Sequence, residues 1–239
     1  MNIQTISFND YKAVVSIPEK EDHISSKWQQ GHFYEAHAQG MLPRVFELRE
    51  RYENGIAIDI GAHWGNHSIF FAVALRMQVF AFEPRPESFE LLKQNTRMHN
   101  ITCREVVMGA EEFARYSLVE GPEGNTGMTS FKKRAYKAAH TNENPGIAGS
   151  RLDTLYPNFS EIKRPLKLIK IDVEGSELNV VQGALQTIKQ YSPDLWVETD
   201  CSDEVLNLIN IGRSDAQKYR LEGPYNHTAT WRFYTPPTP

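Results

Sequence analysis

Five short apolar, largely β-branched runs recur along the chain, at residues 56–60, 78–82, 102–108, 166–173 and 194–199. Strands of a parallel sheet that is covered on both faces need such continuous apolar runs. Between them, residues 66–76, 88–99 and 176–190 read as helices, with Phe89, Leu92 and Thr96 along one side of the second. Repeated βα units predict a parallel sheet with helices on both faces, and in such sheets ligands bind at the carboxyl ends of the strands. Residues 1–54 read as an adjunct or cap to the domain formed by residues 55–239. Within the cap, residues 8–17 alternate as an edge strand would, and residues 45–52 form an amphipathic helix ended by Asn54-Gly55. The polar stretch 109–150 contains Gly121-Pro122, Gly124-Asn125 and Asn144-Pro145-Gly146 and predicts a hairpin plus an exposed loop with a mobile middle. A final hairpin is expected from segments 218–221 and 229–233.

Composition narrows the function classes. The 239 residues are 40% hydrophobic and 23% charged, an ordinary globular balance. A net charge of −4 argues against a nucleic-acid partner, which needs a basic surplus for phosphate contacts. Cys103 and Cys201 form no CxxC pair, so two free thiols in a reducing compartment are expected. The N-terminus lacks a basic leader with an apolar core, and the longest apolar run, 69–75, is too short to span a bilayer. The expectation is a cytoplasmic protein with no membrane span; the composition is compatible with a homo-oligomer.

Three segments carry the chemistry. The first, Ile58-Asp59-Ile60-Gly61-Ala62-His63-Trp64-Gly65-Asn66-His67-Ser68, runs from strand through a glycine turn into a helix, which predicts backbone N–H groups facing a ligand. A dinucleotide fingerprint needs a second glycine two residues after the first, so that a pyrophosphate can approach. Here that residue is His63, which disfavours a nicotinamide oxidoreductase, and Asp59 suits a cationic ligand group better than a diphosphate. S-adenosylmethionine fits both facts. The second segment, Phe82-Glu83-Pro84, places an acid 24 residues after Asp59, close to the offset at which an acid meets ribose hydroxyls. The third, Leu168 to Glu177, puts Lys170 and Asp172 in mid-strand, where charges are costly unless paired. A period of two puts Lys170, Asp172 and an extended Glu174 on one face.

These positions predict Asp172 as proton acceptor or acceptor-orienting group, Lys170 as its tuning partner and Glu198 as second choice. The bland alternative for Lys170 and Asp172 is a structural ion pair. Asn125, Thr129, Ser130 and Glu174 are candidates for the acceptor pocket, and Lys132-Lys133-Arg134 reads as a solvated face. Paired acids at Asp172 and Glu198 would suit Mg²⁺. The HxxxH pair His63 and His67 lacks an evident third metal ligand, and His67 is placed instead near the cofactor carboxylate.

IDIGAHWGNHSIFFA from residue 58, VFAFEPRPESFELLKQN from 79, SRLDTL at 150–155 and LIKIDVEGSELNVVQGA from 168 together resemble the FkbM-type methyltransferase family. The resemblance runs through most of residues 55–200. It implies a class I, Rossmann-like methyltransferase fold: a three-layer α/β sandwich whose seven-stranded, mostly parallel sheet has an antiparallel last strand. It also implies S-adenosylmethionine contacts at Asp59, Gly61, Gly65, His67 and Glu83; Ala62, Asn66, Pro84 and Met108 complete the expected cofactor set. Members methylate hydroxyls of sugars, polyketides and related metabolites, so a small-molecule or glycan acceptor is expected. A cofactor-binding but inactive scaffold is the competing reading from another class.

Overall fold

The computed structural model describes residues 2–19, 22–119, 130–134, 146–159, 164–225 and 229–236. Near the N-terminus the alternating stretch turns back on itself: β1 (Asn2–Phe8) and β2 (Tyr11–Ile17) are joined by Asn9-Asp10. Asn9 sits at φ 51°, a left-handed conformation that two-residue hairpin turns require and Asn tolerates. Instead of extending the main sheet as an edge strand, the two form their own two-stranded sheet, to which Ser7 adds a single bridge with His32. Helix α1 (His23–Gln29) opens on a capping box, in which Asp22 Oδ1 accepts from Ser25 N at 2.9 Å and Ser25 Oγ accepts from Asp22 N at 2.8 Å. The single helix expected over 45–52 is two, α2 (Met41–Glu47) and α3 (Arg49–Tyr52), because the Leu48 N–H divides between the Arg44 and Val45 carbonyls.

From Gly55 the alternation of strand and helix appears as read. In order come β3 (Ile56–Ile60), α4 (Asn66–Ala74), β4 (Gln78–Phe82), α5 (Pro86–Thr96) and β5 (Ile101–Arg104). The third apolar run is divided, because β6 (Val107–Met108) leaves the main sheet to pair with a later strand. A smaller sheet holds β6 with β7 (Arg115–Val119), β8 (Ser130–Lys133) and β9 (Ile147–Ser150), and α6 (Leu152–Leu155) follows. Next are β10 (Leu166–Ile171), α7 (Glu177–Gln182), α8 (Leu185–Tyr191), β11 (Asp194–Glu198), α9 (Ser202–Asn210), β12 (Arg220–Tyr225) and β13 (Thr230–Tyr234). The helix read over 176–190 breaks at Gly183, where a Cβ would lie 1.9 Å from the Gly109 carbonyl oxygen. That close approach admits glycine alone.

The main sheet has the order β12-β13-β11-β10-β3-β4-β5. Strands β11, β10, β3, β4 and β5 pair in parallel, while β13 is antiparallel to both its neighbours. The chain winds outward from β3 in one direction and from β10 in the other, so the switch point lies between these two strands. One face carries a core that joins the cap to α4, with Trp28, Phe33, Tyr52, Phe70, Phe71 and Trp196. The opposite face packs Tyr156, Val180, Ile188, Val205 and Phe233. Trp28, Phe33, Met41 and Tyr52 of the cap are therefore built into the core of one sheet face.

At the amino end of β11, away from the carboxyl ends of the strands, Asp194 gathers partners from α3 and β13. Arg51 of α3 donates to both carboxylate oxygens at 2.9 and 2.6 Å, and Arg232 of β13 donates to Oδ2 at 2.8 and 3.1 Å. The Tyr52 hydroxyl adds a bond of 2.7 Å. Asp194 is 1% exposed and Arg232 is buried with it, while the Arg51 side chain is 32% exposed, so removing the charge strands chiefly the Arg232 guanidinium. Asp194→Asn is expected to cost about 3–5 kcal/mol of stability, the usual loss when one partner of a buried pair goes. Urea unfolding checks it; a midpoint within error of wild type would show that the arginines are satisfied without the charge.

Candidate active site

The site begins at two glycines. Gly61 ends β3 at φ 80°, and a Cβ there would lie 1.7 Å from the Asp172 carbonyl oxygen, so β3 and β10 approach at their ends only because this residue has no side chain. Gly65, at φ 98°, faces Leu92 and Thr96 of α5. The turn between them differs from the expected ligand-facing cradle. Gly61 N and Ala62 N both donate to the Phe82 carbonyl at 3.0 Å, Gly65 N donates to Ala62 O, and His63 N donates to Glu83 Oε2 at 2.8 Å. These four N–H groups are satisfied within the protein. A phosphate would find them taken, whereas a cationic ligand loses nothing.

Glu83 is held from two sides, because Arg85 N donates to its other oxygen at 2.9 Å. Burial raises its pKa to about 7, against the lowering effect of those two bonds. His63, at φ 49°, stacks on Trp64 with centroids 4.3 Å apart, and burial lowers its pKa to about 3, which keeps the imidazole neutral.

Lys170 is buried between two acids. Its Nζ lies 3.0 Å from Asp172 Oδ2 and 3.6 Å from Asp59 Oδ1, and it donates to the Gly61 carbonyl at 3.3 Å. Burial opposes the charged ammonium, yet the two carboxylates outweigh it and raise the pKa. Burial likewise pushes the Asp172 carboxyl upward, but the Lys170 charge and hydrogen bond prevail and hold it below the ordinary value. Asp59 is fully buried and accepts a 2.6 Å bond from Ser68 Oγ.

These groups border a cavity of about 710 Å³, within the range that holds small-molecule ligands. Of the residues singled out in the sequence, Gly61, His63, Glu83, Pro84, Met108, Asp172, Glu174 and Glu198 line it. Asp59, Ala62, Gly65 and Lys170 stand behind that wall, and Ser130 yields its place to its neighbour Phe131. Asn125 and Thr129 lie outside the described residues. Glu174 reaches the cavity by a route other than the extended continuation expected, since β10 stops at Ile171 and Glu174 turns left-handed at φ 55°.

Asn66 and His67, assigned to the cofactor on sequence grounds, spend their side chains on the cap. The Asn66 carboxamide accepts from Tyr34 N at 2.9 Å and from Trp28 Nε1 at 3.1 Å, and donates to Tyr34 O at 3.2 Å. His67 Nε2 lies 3.0 Å from Glu35 Oε2, both residues being buried. The cap then supplies His23, Ser26, Lys27 and Tyr34 to the cavity wall, none of which the sequence reading found. The Asp22–Ser25 capping box was the one legible signal for α1; nothing in the local sequence marks Tyr34.

The profile of the methyltransferase FkbM domain matches residues 59–217. The chain belongs to the FkbM methyltransferase family. It is accordingly a methyltransferase that uses S-adenosylmethionine, and its sheet is that of the class I methyltransferase fold. It is 26% identical over 181 residues to the hexuronic acid methyltransferase AglP of Haloferax volcanii, which covers 73% of this chain and 69% of the relative. It is 22% identical over 164 residues to Methyltransferase 1 of Beauveria bassiana, covering 62% and 65%. A crystal structure of Methyltransferase FkbM from Methylobacillus flagellatus superimposes with a TM-score of 0.49 at 21% identity, over 77% of this chain and 44% of the other.

Methyl donor and cavity suit each other: Glu83, Asp172, Glu174 and Glu198 give an acidic lining for a ligand that carries a sulfonium and an ammonium. The Mg²⁺ expectation does not fit. Among the described residues no group of three His, Cys, Asp or Glu side chains is placed to hold a metal ion, and Asp172 is engaged by Lys170. Among the described residues no helix is long and apolar enough to cross a membrane.

Glu83 gives this site a pH signature. Its native pKa of about 7 exceeds the ordinary 4.5, so its contribution to stability is full below pH 4.5 and is lost as pH rises through 7. Between those limits the ligand-free protein is expected to lose about 3 kcal/mol relative to Glu83→Gln, which carries no titrating proton. Urea midpoints of the two proteins across this interval provide the check, and parallel curves would rule the shift out.

Proposed function

We propose that the protein transfers the S-adenosylmethionine methyl group to a hydroxyl oxygen of a sugar, glycan or small metabolite. The observation that carries this reading is the group of carboxylates at the strand ends, Asp172, Glu174 and Glu198, which line one cavity together with Tyr34. A hydroxyl must be oriented and must give up its proton, and these groups can accept hydrogen bonds from it. The Haloferax volcanii relative, named for action on a hexuronic acid, supports a sugar-type acceptor.

In this reading Glu83 accepts from the ribose hydroxyls with the lone pairs left beside its two backbone bonds. Gly61, Pro84 and Met108 complete the cofactor side of the wall, and Asp59 acts from behind it by fixing Lys170. Lys170 holds Asp172 ionised and aimed, so Asp172 orients the acceptor hydroxyl, with Glu198 lining the same cavity. Holding the acceptor oxygen in line with the methyl carbon lowers the barrier by several kcal/mol through orientation alone.

Two variants test these roles. Glu83→Ala should weaken S-adenosylhomocysteine binding by about 1–3 kcal/mol in calorimetry, the cost of losing hydrogen bonds to a charged group; unchanged affinity removes the ribose role. Asp172→Asn should leave that affinity within about threefold while turnover of labelled methyl groups onto hexuronic acids or neutral sugars falls about 10²-fold or more. Lys170→Met should lower turnover too, by raising the Asp172 pKa. A structural ion pair predicts lower melting temperatures for both variants, with activity intact in whatever stays folded. A folded Asp172→Asn protein with normal turnover transfers the role to Glu198, and no methylated sugar at all with wild type refutes the sugar acceptor.

A further inference from the structure

The cavity holds four acids near the strand ends, Glu83, Asp172, Glu174 and Glu198, and their surroundings differ. Asp172 is already bound to a cation, with Lys170 Nζ 3.0 Å from its Oδ2. A carboxylate so paired accepts a hydrogen bond well but takes a proton poorly, since protonation would break the ion pair. Glu174 stands two residues on, in the turn between β10 and α7. Its backbone is left-handed at φ 55°, which a non-glycine residue adopts at a cost, and such strain concentrates at functional positions. The turn is held in that shape by Gly175, whose N–H donates to Glu177 Oε1 at 2.8 Å and whose own φ is 91°. The Glu174 side chain is half-buried and lines the cavity, and among the described residues no ion pair or hydrogen bond engages it.

We infer that Glu174 is the catalytic group that takes the acceptor's proton during methyl transfer, while Asp172 orients the hydroxyl. The inference rests on the hydroxyl-acceptor reading above. A lone pair of the hydroxyl oxygen forms the new C–O bond as the S–CH₃ bond breaks. That bond's electron pair stays on sulfur, turning the sulfonium into a neutral thioether. The hydroxyl proton passes to the Glu174 carboxylate and leaves to solvent after the product departs.

The electrostatics agree. Lys170 on β10, Asp172 just past its end and Glu177 on α7 act most strongly on Glu174, and His23, Lys27, Tyr34, His63, Glu83 and Glu198 share the cavity. Burial first, then the negative charges of Asp172 and Glu177, raise the Glu174 pKa to about 7 against the weaker pull of Lys170. A base poised there is efficient near neutral pH.

The test needs no acceptor. Sinefungin carries a primary amine where the methyl donor carries its methyl group, and S-adenosylhomocysteine carries nothing there. Glu83 contacts both ligands through the same adenosyl part, so its titration cancels in the ratio of the two dissociation constants. For wild type, the preference for sinefungin should grow roughly tenfold between about pH 5.5 and about pH 8, as Glu174 ionises beside the amine, the worth of one charge-assisted hydrogen bond. In Glu174→Gln the ratio should stay flat, with S-adenosylhomocysteine still bound and a melting temperature that matches wild type at low pH and exceeds it at pH 8, where wild type carries the charge. Glu174→Asp should restore part of the slope. A ratio independent of pH in wild type, a slope that survives in Glu174→Gln, or one that vanishes only in Glu198→Gln overturns the assignment. Failure to methylate any sugar, with the slope present, counts against the acceptor class alone.

Discussion

The buried ammonium of Lys170 constrains this site more than any other group. A charge in the middle of a central strand is tolerated only with partners at hand, and Lys170 finds them on two strands. Asp59 is its direct partner in the β3–β10 register, and Asp172 lies two residues along its own strand. Slipping that register by one residue would turn Lys170 into the apolar packing of the other face. The charge therefore fixes the pairing, and the pairing brings the Asp172 carbonyl against Gly61, where any Cβ would collide. The requirement for glycine at the end of β3 and the placement of Asp172 at the cavity follow from one ion cluster.

The other half of the site comes from the cap. Asn66 and His67 are consecutive in the first turn of α4, directly after the glycine turn, and both reach away from the sheet to hold Tyr34 and Glu35. Phe33 packs edge-on against Phe70 of the same helix. The helix that follows the turn thus anchors the segment that roofs the cavity, and Tyr34 is presented to the acids across it. Burial, followed by the charges of Glu35, Glu198 and Asp172, raises its pKa to about 12, so its hydroxyl stays neutral near physiological pH.

Three acids on one wall are differentiated by what surrounds them. Lys170 keeps Asp172 charged, two backbone N–H groups receive Glu83, and Glu174 has like charges for neighbours. Pairing with Lys170 holds the Asp172 pKa down while burial raises those of Glu83 and Glu174, and the two backbone bonds on Glu83 then separate it from Glu174.

The sequence by itself determined the βα alternation, the bounds of β3 and β4, and the acids at the ends of β3, β4, β10 and β11. These are local properties: apolar runs have the length of strands, and charges inside them stand out. It also carried the family, through three ordered motifs. Only the tertiary structure decided which faces those residues present and what they touch. The period of two could not show that Glu174 leaves the strand in a left-handed turn, nor that the glycine-turn N–H groups are taken by Phe82 and Glu83. Asn66 and His67, expected among the cofactor contacts, direct their side chains to the cap because Trp28, Tyr34 and Glu35, more than thirty residues earlier, fold back onto them. Spacing along a chain constrains neighbours within a turn or a strand; contacts between the cap and the sheet depend on the packing of Trp28, Phe33 and Phe70, which no local pattern encodes.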